Sequence, residues 1–125
     1  MTKILIIDDE ADVRRYLTAV LRKQGFETFS ASDGVEGLEI ARREKPDLVT
    51  LDLMMPNQSG TDFYRNLVKD KELGHTPVIV VSGLPGRHLA VKAPAAVFDK
   101  PIDPEAFVAA VRAALESGPR RVTSS

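Results

Sequence analysis

Four short apolar runs, each halting at a residue able to do chemistry, constrain this chain more than any other feature. Ile4-Leu5-Ile6-Ile7 stops at Asp8-Asp9, and Leu48-Val49-Thr50-Leu51 stops at Asp52. Val78-Ile79-Val80-Val81 stops at Ser82, and Ala96-Val97-Phe98 stops at Asp99-Lys100. Aliphatic and β-branched runs of this length read as buried strands. The segments between them carry apolar residues at helical spacing, and such alternation points to βα units and a parallel sheet. In a parallel sheet the residues that end the strands gather at one edge, where open α/β sheets bind ligands. Acids, a hydroxyl and one lysine then surround Asp52.

The intervening segments fit this scheme. Val13, Leu17, Val20 and Leu21 make one face of a first helix, which Gly25 ends. Residues 26–30, of mixed polarity, read as an edge strand. Asp33 caps a second helix with Val35, Leu38 and Ala41 inward, ending near Lys45-Pro46. Ser59-Gly60-Thr61-Asp62 has the form of a capping box and opens a helix carrying Phe63, Tyr64, Leu67 and Val68. Pro85 and Pro94 confine any fourth helix to residues 86–93, about two turns. Asp103-Pro104 starts the last helix, whose buried side is Phe107, Val108, Val111 and Leu115. The expected fold is α/β, a doubly wound five-stranded parallel sheet with a shortened fourth helix.

Composition narrows the function classes. A chain of 125 residues, 43% hydrophobic and 28% charged, is one globular domain with a real core. A formal net charge of −1 gives no basic excess for nucleic acid, and the lack of cysteine removes thiolate metal sites. The first apolar run is too short for a signal peptide or membrane span, so a cytoplasmic location is the default expectation. Residues 1–117 are expected to form the domain, and residues 118–125 a flexible tail or the start of a linker.

Clustered carboxylates repel one another and stay ionised most readily around a cation. An all-oxygen donor set without His or Cys favours Mg²⁺. Lys100 adds a second positive charge and Ser82 a hydroxyl donor, which together suit a phosphoryl group. With no Ser–His or Cys–His pair evident, Asp52 is the candidate nucleophile, since carboxylates accept phosphoryl groups as acyl phosphates.

From residue 3 to residue 116 the chain resembles the receiver domains of two-component response regulators. The matching residues are Asp8-Asp9, Asp52 in LDLMMP followed by Gly60, Ser82 in VVSG, and Lys100-Pro101. The resemblance implies strand order 2-1-3-4-5, the flavodoxin-like arrangement, and a cis peptide at Lys100-Pro101. It implies that Asp52 takes a phosphoryl group from a histidine kinase or histidine phosphotransfer protein. Asp9, Asp52 and the backbone carbonyl of Met54 would hold Mg²⁺ directly, with Asp8 assisting through water. Lys100 would contact the phosphoryl group, and Ser82 would move to hydrogen-bond it. Met54 and Leu84 would flank the hydrolytic water and modulate its approach.

Two departures from the family pattern concern output. The position three before the lysine, where receivers usually carry a switch aromatic, holds Val97, with Phe98 one place later. The segment between Ser82 and Lys100 is shorter than usual by roughly four residues, about one helical turn. The alternatives are a pseudo-receiver that is never phosphorylated and an aspartyl-nucleophile phosphohydrolase. The latter needs a second acid where Met54 stands. The expected role is a signalling switch that catalyses only its own phosphorylation and dephosphorylation, with no direct nucleic-acid or membrane contact.

Overall fold

The computed structural model describes residues 1–53, 55, 59–82 and 94–117, apart from the side chains of Ser59 and Ser82. Five parallel strands form one sheet: β1 (Lys3–Ile7), β2 (Glu27–Ala31), β3 (Leu48–Asp52), β4 (Val78–Ser82) and β5 (Ala96–Asp99). Their spatial order is β2-β1-β3-β4-β5. The chain leaves β1 toward β2 on one side and returns to β3 on the other. The carboxyl ends of β1 and β3 therefore flank the point where the winding reverses, which is the ligand crevice of such sheets. Registers such as Ile7↔Leu51 and Asp52↔Val81 bring the strand ends level along that edge.

Period-two alternation divides the strand side chains between two cores. Leu5, Ile7, Val49, Leu51, Val78 and Val80 face α2 (Gly34–Glu44) and α3 (Ser59–Lys69), where Phe63, Tyr64 and Leu67 complete the cluster. Ile4, Ile6, Leu48, Ile79 and Val81 face α1 (Ala11–Lys23) and α4 (Pro104–Glu116), with Leu17, Leu21, Phe107 and Val111. Each fully buried aliphatic or aromatic side chain contributes about 1.5–3 kcal/mol. That burial holds the central strands, and with them the site, in place.

Helix ends follow local chemistry. Asp33 accepts from the Glu36 amide at 2.8 Å and Asp103 from the Ala106 amide at 3.0 Å, so both caps form as their sequences indicate. Pro104 takes the first turn of α4. Past the end of α1, Gly25 supplies a φ of 90°, a left-handed value that costs glycine little. The Lys100-Pro101 peptide is cis.

Two local expectations need correction. Val35 points outward and is 74% exposed. The buried row of α2 is instead Gly34, Gly37 and Ala41, small residues that let the helix lie against Ile7 and Phe63. The α3 helix begins at Ser59 itself, so Ser59 is not the residue outside it that a capping box requires. Two further expectations, the short helix at residues 86–93 and the tail at 118–125, lie outside the described residues.

Candidate functional site

Asp52 is the last residue of β3 and is 1% exposed, an ionisable group at the end of a strand whose five residues are all buried. Asp8, directly after β1, is equally buried, whereas Asp9 and Glu10 beside it are exposed. The turn is fixed locally: the Asp8 amide donates to Ala31 O at 3.1 Å, and the Glu10 amide donates to Asp8 Oδ1 at 2.9 Å. The Arg14 guanidinium, one turn into α1, donates to the Asp8 carbonyl at 2.6 Å. Carboxylate oxygens of Asp8, Asp9, Glu10 and Asp52 all lie within 4.8 Å of one another.

Lys100 reaches this cluster from the end of β5. Its Nζ is 2.8 Å from Glu10 Oε1, 3.1 Å from Asp8 Oδ2 and 3.4 Å from Asp52 Oδ2. Burial by itself pushes the ammonium toward its neutral form. The hydrogen bond to Glu10, the charge of Asp52, and the close approach and charge of Asp8 outweigh that effect and hold its pKa above the ordinary lysine value. Lys100 is therefore a permanent cation at any physiological pH.

The cluster fits a hard divalent cation. Among the described residues, the four clustered carboxylates exceed the charge of the Lys100 ammonium that three of them contact, a formal surplus of three negative charges. Asp8 Oδ2 is buried and accepts no hydrogen bond of good geometry, although the Lys100 ammonium lies 3.1 Å away. An all-oxygen donor set with one such under-satisfied buried oxygen suits Mg²⁺.

The fold thus brings together Asp8, Asp9, Asp52 and Lys100, all singled out in the sequence. Ser82 ends β4 in register with Asp99, one strand from Asp52. Val97 is 40% exposed, on the sheet face opposite Phe98. Phe98 packs with the α1 and α4 core, its ring edge-on to Phe107 at 5.7 Å. It packs there partly buried, against the core. Met54 and Leu84 lie outside the described residues.

Sequence reasoning missed Glu10. The one local signal is its place as N-cap of α1, where Ser, Thr, Asp or Asn is usual. Its carboxylate makes no capping hydrogen bond and turns to Lys100 instead.

Comparison with known proteins agrees with the geometry. A sequence profile described as "Response regulator receiver domain" matches residues 4–112. Protein Rrf1 of Nitratidesulfovibrio vulgaris is 33% identical over 113 residues, 90% of this chain and 82% of Rrf1. Protein PilH of Pseudomonas aeruginosa is 43% identical over 82 residues, 66% of this chain and 68% of PilH. The DNA-binding response regulator MtrA of Mycobacterium tuberculosis is 37% identical over 117 residues, but the match spans only 50% of MtrA. Among solved structures, chemotaxis protein CheY4 of Vibrio cholerae superposes with a TM-score of 0.83 at 25% identity, covering 91% of this chain and 98% of CheY4. A sensor protein from Polaromonas sp. JS666 superposes at 0.84 with 27% identity, covering 93% of this chain and 97% of that one. The sheet order, the acids at the winding reversal and these likenesses converge: the chain belongs to the receiver domains of two-component response regulators.

Proposed function

We propose that this chain is a phosphoacceptor switch in which Asp52 takes a phosphoryl group from the phosphohistidine of a histidine kinase or histidine phosphotransfer protein. The observation that carries this reading is the placement of Asp52: a buried carboxylate at a strand end, 3.4 Å from a permanent cation and inside an all-oxygen acidic cluster. An Asp52 oxygen attacks phosphorus as the P–N bond breaks, and the imidazole nitrogen leaves with that electron pair. Lys100 binds the phosphoryl oxygens, and Ser82, at the end of β4, supplies a hydroxyl donor. Asp9, Asp52 and the Met54 carbonyl would hold Mg²⁺, with Asp8 assisting. When bound, the ion neutralises charge on the phosphoryl oxygens and fixes their orientation.

Phosphorylation adds roughly 1.5–2 negative charges at this edge. In this reading it shifts a two-state surface at the ends of β4 and β5, with Val97 in place of an aromatic switch residue. Output through a form of that surface other than the common one is expected, because Val97 has no ring to fill space vacated by Ser82.

The test is intact mass after incubation with acetyl phosphate. One added phosphoryl group is expected with Mg²⁺, none without it, and none on Asp52→Asn. Full labelling of Asp52→Asn would overturn the assignment.

A further inference from the structure

Glu10 stands in the N-cap position of α1 without capping it. A glutamate there forgoes the usual hydrogen bond to the first helical turn, worth about 0.5–2 kcal/mol where Ser, Thr, Asp or Asn makes it. Its carboxylate instead crosses to the far side of the site, where Oε1 meets Lys100 Nζ at 2.8 Å across 90 positions of sequence. This is the shortest of the three contacts that Lys100 makes with carboxylates, and the outermost. The Glu10 side chain is 60% exposed, against 2% for Asp8 and 1% for Asp52. Lys100 is thus shared between two buried acids that form the floor of the site and one exposed acid at its rim.

An incoming phosphoryl group needs the same ammonium. Lys has three N–H donors; here the ammonium donates to Glu10 Oε1 and Asp52 Oδ2, and Asp8 Oδ2 lies 3.1 Å from the same nitrogen. A phosphoryl oxygen bound to the same nitrogen competes with these three carboxylates for it. The exposed contact is the cheapest to break, because Glu10 returns to water while Asp8 and Asp52 cannot. From this geometry we propose that Glu10 is a positioning residue for Lys100. Its carboxylate holds the ammonium at the rim, competes with the phosphoryl oxygens for it, and so sets how readily Asp52 is phosphorylated. The proposal rests on the phosphoacceptor reading above.

The alternative effect of a rim carboxylate is simple repulsion of an anionic donor, and chain length separates the two. Asp at position 10 keeps the charge but is one C–C bond, about 1.5 Å, shorter, which breaks a 2.8 Å contact. The experiment measures the acetyl phosphate labelling rate of the full chain at saturating Mg²⁺ for wild type, Glu10→Gln and Glu10→Asp. Alongside it, the Lys100 side-chain resonances are recorded by NMR without any donor. Removing an exposed ion pair predicts labelling roughly two- to fivefold faster, in both variants, together with a shift of the Lys100 resonances in both. Acceleration in Glu10→Gln but not Glu10→Asp would assign the effect to repulsion and overturn the proposal. Unchanged or slower labelling in both variants would overturn it equally. A wild type that does not label at all refutes the phosphoacceptor reading, and the regulatory proposal falls with it. Shifted Lys100 resonances would then show that the contact exists without that role.

Discussion

Gly60 offers the most severe single test of how the fold supports its site. A Cβ built at this position meets Asp52 O at 2.5 Å, Leu53 Cα at 3.1 Å and the Asp52 carbonyl carbon at 3.4 Å. All three atoms belong to the backbone at the end of β3, so no side-chain rotation relieves the overlap. Reaching an ordinary 3.4 Å contact requires α3 and the end of β3 to part by about 0.9 Å. Overpacking of this kind costs about 1–3 kcal/mol. For a chain this size, each kcal/mol lowers Tm by about 4 °C, giving a fall of roughly 4–12 °C for Gly60→Ala. The chemistry should suffer more than the stability. A displacement near 1 Å at a reacting group can cost about a hundredfold in rate, so labelling of Asp52 should slow by roughly ten- to a hundredfold. The control is Gly37→Ala, whose Cβ meets Ile7 Cδ1 at 2.6 Å, the far end of a side chain. The alanine gains about 0.5–1 kcal/mol of helix preference, so its net change should stay within about 1 kcal/mol. Urea denaturation and acetyl phosphate labelling of both variants decide the matter. A Gly60→Ala protein as stable and as readily labelled as wild type would refute the claim that this glycine sets the approach of α3 to Asp52.

Three further outcomes are expected. Phe107→Ala, which empties a fully buried ring site beside Phe98, should cost about 3–5 kcal/mol by denaturant titration; a loss under 1 kcal/mol would mean that this face of the sheet repacks freely. Because the folded-state pKa of Lys100 is raised, its contribution to stability is complete below the unfolded value near 10.4 and is lost only as pH climbs through the higher folded value. Wild type and Lys100→Arg should therefore show parallel stability profiles from about pH 6 to 10, and divergence starting near neutrality would contradict the carboxylate clamp. Replacing the apolar Met54 with Asn and Leu84 with Glu offers hydrogen bonds to the hydrolytic water, so the phosphorylated double variant should lose its label faster than wild type; equal decay rates would remove both side chains from that role.

The sheet and most of the site were legible because buried parallel strands are continuous apolar runs, and an abrupt carboxylate at the end of one stands out. Asp8, Asp52 and Lys100 are separated by 44 and 48 positions in sequence, yet the βα alternation alone brings them to one edge. What escaped the sequence was decided by close packing and tertiary reach. Val35 was expected inward because it is apolar, but the interface of α2 selects small residues, and Gly37 fits where a larger side chain would strike Ile7. Glu10 escaped because its significance lies in a contact with Lys100 that no local pattern announces. Phe98 illustrates the reverse: strand alternation alone puts it opposite Val97, toward Phe107 and the core.

The central claim is that Asp52 forms an acyl phosphate. Borohydride reduction of the phosphorylated chain followed by peptide mass spectrometry tests it most directly, because an aspartyl phosphate is reduced to homoserine where it stands. The account predicts homoserine at position 52 alone, dependent on Mg²⁺ during phosphorylation. Homoserine at position 8, 9 or 99, or a phosphoryl group that survives on a hydroxyl or imidazole, would contradict it.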